Sequence, residues 1–319
     1  MTILSSIKNE WIKFFFTKMN VIMIAIILLI GIANVVVPTF INDDISKDYQ
    51  PESWQEDVAT DIEKLKTEAS MTNNSSEKKT INDEITRLEN HLSQHVIPPR
   101  QNNLFSVIFE LYAMTPLIGI SLIIVASSIV AREFTNGTIK FLLIRPISRN
   151  KVLLSKLLTI ILISIMYLLL LFGSSFIMGL LLTDINTTSD FVYSTGKENF
   201  WLLLIKVIAL MLLEANIVAM IAFSLSTIFR NNAIVLGMTI ILYMVVTNAL
   251  YLLSNITEFV IYLWPFHFEM LPYIEATGMS MTSYESNLTL GFSLVIHAIH
   301  LIPLIIIAFV SFNKRDVLV

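Results

Sequence analysis

Residues 132–156 read REFTNGTIKFLLIRPISRNKVLLSK, a basic island between two long apolar runs. Arg132, Lys140, Arg145, Arg149, Lys151 and Lys156 stand there against the single acid Glu133. Short connections rich in Lys and Arg stay on the cytoplasmic side of a membrane, so this one orients every other segment. It is also too greasy for a plain linker. Asn136-Gly137 supplies a turn, and Ile139, Phe141, Leu142, Leu143 and Ile144 form an apolar patch. Pro146 followed by Ser148 ends one segment and opens the next. These side chains call for a cytoplasmic partner to cover them.

The rest of the chain agrees with a bilayer setting. Of its 319 residues 55% are hydrophobic and only 14% charged, where a soluble domain carries about 25% charged. The formal charge of −4 conceals a segregation of acids from bases along the chain. With no cysteine, disulfides, thiolate metal sites and a cysteine nucleophile are excluded. The first apolar run, 21–37, is too long for a signal-peptide core and ends at Pro38 without a small-residue cleavage pattern, so it reads as a permanent span.

Working outward from the basic island, hydropathy predicts an all-α polytopic membrane protein with six spans, at 20–40, 104–131, 152–182, 200–228, 233–253 and 290–312. Before them, residues 1–19 form an amphipathic elbow helix in the membrane surface. Ile3, Ile7, Trp11, Phe14 and Phe15 recur there at helical spacing, with Lys8, Lys13 and Lys18 on other faces. Residues 41–103 carry 13 acids against 7 bases and belong outside. Trp54, Val58, Ile62, Leu65 and Ala69, then Ile81, Ile85, Leu88, Leu92 and His95, predict an antiparallel helical hairpin turning at Asn73-Asn74-Ser75-Ser76. Residues 132–151 are the cytoplasmic loop, 254–289 an acidic outer loop with re-entrant or interfacial helices around Trp264-Pro265, and 313–319 a cytoplasmic tail. Twelve bases then fall at the inner face, and both termini are cytoplasmic in the plasma membrane.

The island resembles the ABC-2 type permeases, the membrane subunits of ATP-binding-cassette exporters. The resemblance is carried by Glu133, the pair Gly137-Thr138, the apolar run from Phe141 to Ile144, and the step Arg145-Pro146-Ile147-Ser148, and more weakly by the whole span pattern and the ending Asn313 to Asp316. It implies that Glu133, Gly137, Thr138, Phe141, Leu142 and Arg145, with Arg230 in the short turn 229–232, dock a separate ATP-binding subunit. ATP and Mg would belong to that subunit and no cofactor to this chain. Six spans would make half a translocator, so a second permease copy or a paralogue is implied within the lipid bilayer. No nucleic acid is implied.

Missing motifs support a non-catalytic chain. There is no G-x-x-x-x-G-K-[ST] phosphate loop, no H-E-x-x-H and no G-x-S-x-G. His91 and His95 stand at i,i+4, but no third metal ligand is placed beside them. Ionisable and amide groups inside spans remain candidates: Glu110, Glu214, Asn216, His297 and His300. Each has a structural alternative, Glu110 reaching the interface, Glu214 and Asn216 tethering helices, the histidines hydrogen-bonding across a helix pair. Long apolar helices under an outer roof favour amphipathic cargo, antimicrobial or toxin peptides before hydrophobic drugs. The competing classes are a membrane sensor or assembly protein that uses the hairpin for ligand or partner binding, and an intramembrane enzyme.

Overall fold

The computed structural model describes residues 2–41, 53–72, 75–95, 104–139, 148–183, 190–193, 196–254, 256–274 and 288–314. Among these residues six helices are long and apolar enough to cross a bilayer: Lys18–Phe40, Val107–Thr135, Arg149–Leu182, Phe200–Phe229, Asn232–Ser254 and Leu290–Lys314. With the elbow helix Ile3–Phe15 and the hairpin helices Trp54–Met71 and Ser75–Ser93, they make an all-α polytopic membrane protein. The connection 183–199 adds what the pattern does not predict, an antiparallel ribbon of Asp190–Tyr193 and Gly196–Asn199.

The spans are buried unequally. In the second span 61% of the apolar window is buried within the protein, against 17% in the first. The second span is therefore the centre, packed along the fourth, and the first hangs on the third. Gly31 permits that attachment: a Cβ there would fall 2.0 Å from Ser174 Oγ and 2.7 Å from Leu171 O.

Several boundaries depart from the hydropathy reading for identifiable reasons. The second span comprises Leu104–Phe109, a 3₁₀ turn Glu110–Met114 and Thr115–Thr135, running past Ala131 where the apolar run stops. It ends only where the Asn136 N–H donates to Arg132 O at 2.9 Å and Gly137 takes a φ of +67°. Glu133 thus belongs to the span and not to the loop. Where re-entrant or interfacial helices are expected, the described residues form three short 3₁₀ turns, Glu258–Tyr262, Trp264–His267 and Leu271–Tyr273. Pro265 and Pro272 open the last two, where a missing N–H costs nothing but a longer helix cannot precede them. The fifth span contains a π turn, Ile241–Val246, between Asn232–Ile240 and Thr247–Ser254.

The elbow helix is turned as a lipid setting requires. Thr2 caps it by accepting from Ser5 N–H at 3.3 Å, and the Asn20 amide closes its far end on Phe14 O at 3.0 Å. Its buried stripe is Ser6, Glu10 and Phe14, while Leu4, Ile12 and Phe16 face outward. The hairpin has a separate core, Trp54, Val58, Ile62 and Ala69 against Ile81, Ile85 and Leu88, and Lys66 Nζ meets Glu89 across it at 2.7 Å.

Candidate functional site

Lys156, early in the third span, is fully buried. Its ammonium donates to Glu10 Oε2 at 2.9 Å and to Ile129 O at 3.0 Å, and lies 2.8 Å from Glu133 Oε1. Lys13 Nζ completes a ring, 2.8 Å from both Glu10 Oε1 and Glu133 Oε1. A lone ammonium at this depth costs several kcal/mol, whereas three acceptors here occupy its three donors and the two acids balance the two bases. Burial alone would raise the Glu10 carboxyl, but Lys156 and Lys13 outweigh it and hold it below the usual 4.5. Burial alone would lower Lys13, but Glu133 and Glu10 lift it above the usual 10.5. Both therefore stay charged at neutral pH.

This cluster fastens the elbow helix to the second and third spans, at both roots of the 136–148 connection. The turn between spans four and five reaches the same place. Arg230 caps the fourth span with a φ of 58°, and its guanidinium sits 4.1 Å above the Phe134 ring, which meets Phe312 edge-on at 6.2 Å. Arg149 Nη1 donates to Asn313 O at 3.1 Å, and Asn313 also bonds Asn150, so the sixth span ends here too. Deeper in, Ser226 Oγ donates to Ser127 O at 2.7 Å and accepts from Ala131 N–H at 3.0 Å. Those two backbone groups are one i,i+4 step apart, so the hydroxyl is inserted in the helical ladder of span two. A cavity of about 610 Å³ lies between the elbow helix and spans two and three, with Glu10, Lys13, Arg132 and Glu133 in its wall.

Of the expected docking residues, Glu133, Gly137, Thr138 and Arg230 gather around this end. Thr138 Oγ1 approaches Glu133 O at 3.5 Å, and Gly137 holds the left-handed turn. Phe141, Leu142 and Arg145 lie outside the described residues. Hydropathy reasoning missed Glu10 and Lys156 as a pair, although Glu10 is the lone acid of Ile3–Phe15 and Lys156 stands among Leu153, Leu154 and Leu157.

The opposite end collects the remaining polar groups. Glu214 is buried, with Oε1 accepting from Tyr243 Oη at 2.8 Å and Oε2 from Met270 N–H at 3.0 Å. It thereby joins span four to the π turn and to the 3₁₀ segment. Gly119 makes room, since a Cβ there would meet the Tyr243 ring at 3.0 Å. Asn216 Nδ2 donates to Ser164 Oγ at 2.8 Å, a tether to span three. Glu110 is exposed on its 3₁₀ turn.

The histidines are locked by hydrogen bonds. Trp264 Nε1 donates to His297 Nδ1 at 2.8 Å, which leaves the proton on Nε2 to donate to His267 O at 2.8 Å. His267 donates from Nε2 to Ile261 O at 2.7 Å, and its Nδ1 accepts from Ser293 Oγ at 2.7 Å, which also bonds Tyr273. Burial pulls His267 below its usual 6.5, further helped by His300, against the pull of the Ile261 carbonyl. His300 stacks on Trp264 at 5.1 Å and bonds Ile296 O at 2.8 Å. Each ring ends on a main-chain carbonyl, an arrangement suited to tethering. Among the described residues no three His, Asp or Glu side chains group as metal ligands, and His91 is buried while His95 is exposed.

A family model described as "Protein of unknown function (DUF2705)" matches residues 80–318. The chain is similar to a Bacillus subtilis (strain 168) protein named "Uncharacterized protein YhcI", 30% identical over 324 residues that cover 98% of this chain and 99% of that one. It is also similar to the "Uncharacterized membrane protein YdbK" of the same organism, 30% identical over 217 residues, 64% of this chain and 80% of that one.

Proposed function

We propose, from the premise that the chain belongs to this DUF2705 family, that it is the non-catalytic permease subunit of an ABC-2 type, ATP-driven exporter. It lies in the plasma membrane with both termini cytoplasmic. A separate ATP-binding subunit covers the loop after the second span and supplies ATP and Mg, and a second permease copy or paralogue completes the path. The observation that carries this reading is the fully buried Lys156 held between Glu10 and Glu133. A force applied to the 136–148 connection reaches the elbow helix and both flanking spans through one ion cluster, whose disruption costs about 3–5 kcal/mol. Such a rigid base suits a lever and is wasted on a passive linker. Arg230, stacked on Phe134 at 4.1 Å, adds the span-four turn to the same surface. The cargo is amphipathic, antimicrobial or toxin peptides first and hydrophobic drugs second, because long apolar spans meet a roofed polar end.

The test is co-extraction in mild detergent followed by an ATP hydrolysis assay. The expected result is a phosphate-loop ATPase that stays with the wild-type chain and is lost from the F141D/L142D variant. Retention in that variant overturns the docking assignment. Labelling of Lys151 by an impermeant reagent on intact cells overturns the topology.

One observation favours a second reading, a sensor or assembly protein. The hairpin keeps a core of its own, including Trp54 and Leu88, apart from the span core. An export defect that follows F141D/L142D but not hairpin deletion separates the two.

A further inference from the structure

The cavity beside the ion cluster carries two unused polar groups. Glu133 is 8% exposed, both of its ammonium partners meet Oε1, and Oε2 has no hydrogen-bond partner among the described residues. Arg132, half-buried in the same wall, has no acceptor for its guanidinium among the described residues. A buried carboxylate oxygen calls for an N–H or O–H donor, and a guanidinium for an oxyanion. These two groups belong to the last turn of a span helix, and the ends of spans are where a bilayer's headgroups begin. Phe14, Val125, Ile129 and Ile163 line the cavity with apolar surface, and Lys13, 53% exposed in the wall, marks where it opens.

An anion site, a cation site and an apolar strip within about 610 Å³ describe an amphiphile with a zwitterionic head. We infer that this cavity binds an aminophospholipid, its phosphate on Arg132, its primary ammonium on Glu133 Oε2, and the start of an acyl chain against Phe14 and Ile163. The ammonium N–H makes a charge-assisted bond that a choline head, having no N–H, cannot make and that a glycerol hydroxyl makes only in its weaker neutral form. The inference stands apart from the export reading, since a lipid seated here would brace the elbow helix in a sensor equally well.

The test offers the purified full chain an equimolar mixture of phosphatidylethanolamine, phosphatidylglycerol and phosphatidylcholine with matched acyl chains, and weighs the retained lipid by native mass spectrometry. Phosphatidylethanolamine should be retained about tenfold over phosphatidylcholine, the size of one charge-assisted hydrogen bond, with phosphatidylglycerol between them. R132Q should lower retention of all three, and E133Q should erase the preference for the amine. Because Glu133 also anchors two lysines, N9W serves as a second variant: Asn9 is half-buried in the cavity wall and outside the ion cluster. Reduced phosphatidylethanolamine in N9W at an unchanged unfolding temperature supports the site. Equal retention of ethanolamine and choline lipids, or retention untouched by both R132Q and N9W, overturns it. Displacement of the lipid by equimolar inorganic phosphate assigns the site to a small anion and overturns it as well.

Discussion

Lys156 of the third span and Glu10 of the elbow helix meet at 2.9 Å across 146 residues of sequence. With the ammonium fully buried, removing one partner leaves the cluster with an unbalanced buried charge, a loss of about 3–5 kcal/mol. E10A and K156A should therefore each lower the unfolding temperature in detergent strongly. The double variant should cost clearly less than their sum, and strict additivity would show that the two do not act as a pair.

The cluster should also set a pH window. Glu10 is held below 4.5, so its contribution is complete above that value and disappears as pH falls through the lower folded value. Lys13 is held above 10.5, so its contribution is complete below that value and disappears as pH rises through the higher folded value. Thermal unfolding of the wild type should hold a plateau between those limits and fall on both sides. In K13M the alkaline fall should shrink while most of the acid fall remains.

Ser226 predicts a pair of unequal outcomes. Without its hydroxyl, Ala131 N–H and Ser127 O are already placed to bond each other, so S226A should cost no more than about 0.6 kcal/mol, the average for such interhelical bonds. S226V adds a methyl group at a fully buried position between the two helices and wedges them, so it should cost about 1–3 kcal/mol. Equal unfolding temperatures for the two variants would refute the insertion.

At the other end, Y243F leaves Glu214 Oε1 without its donor and should cost about 1–3 kcal/mol. G119A crowds the Tyr243 ring from the second span and should act through the same bond. The combined variant should then cost less than the sum of the two, since there is one Tyr243–Glu214 bond to lose while the ring stays crowded, and additive losses in unfolding temperature would separate Gly119 from Glu214.

Much of this architecture is legible in the chain itself, because a bilayer allows few ways to satisfy a backbone. Runs such as Arg149–Leu182 declare themselves by length and hydropathy, and the hairpin by Trp54, Val58 and Ile62 on one stripe. Glu133 is legible as a functional residue, yet its partners are not. Glu10 and Lys156 read locally as one acid and one base, and only the packing of the elbow helix on span three brings them together. The proline-opened 3₁₀ turns after Ser254 mimic helical spacing too closely for periodicity to separate them. Phe14 and Glu10 lie on the buried side of the elbow because lipid, not water, receives its apolar stripe.

The wide turn at Ile241–Val246 has a consequence for phase. The first four inward residues of the fifth span are Val235, Thr239, Tyr243 and Thr247, a beat of four before the row goes on to Leu250 and Ser254. An ordinary helix repeating every 3.6 residues would let such a beat precess by about 40° each time, carrying Thr247 about 120° away from Val235. The slack turn works as a vernier that cancels this precession and keeps the row aimed at the bundle. Deleting one residue within it would restore an even winding with Val235 and Thr247 eleven residues apart, only about 20° out of line, so the row would keep its aim, whereas forcing ordinary winding on the full-length span would turn its far half toward lipid.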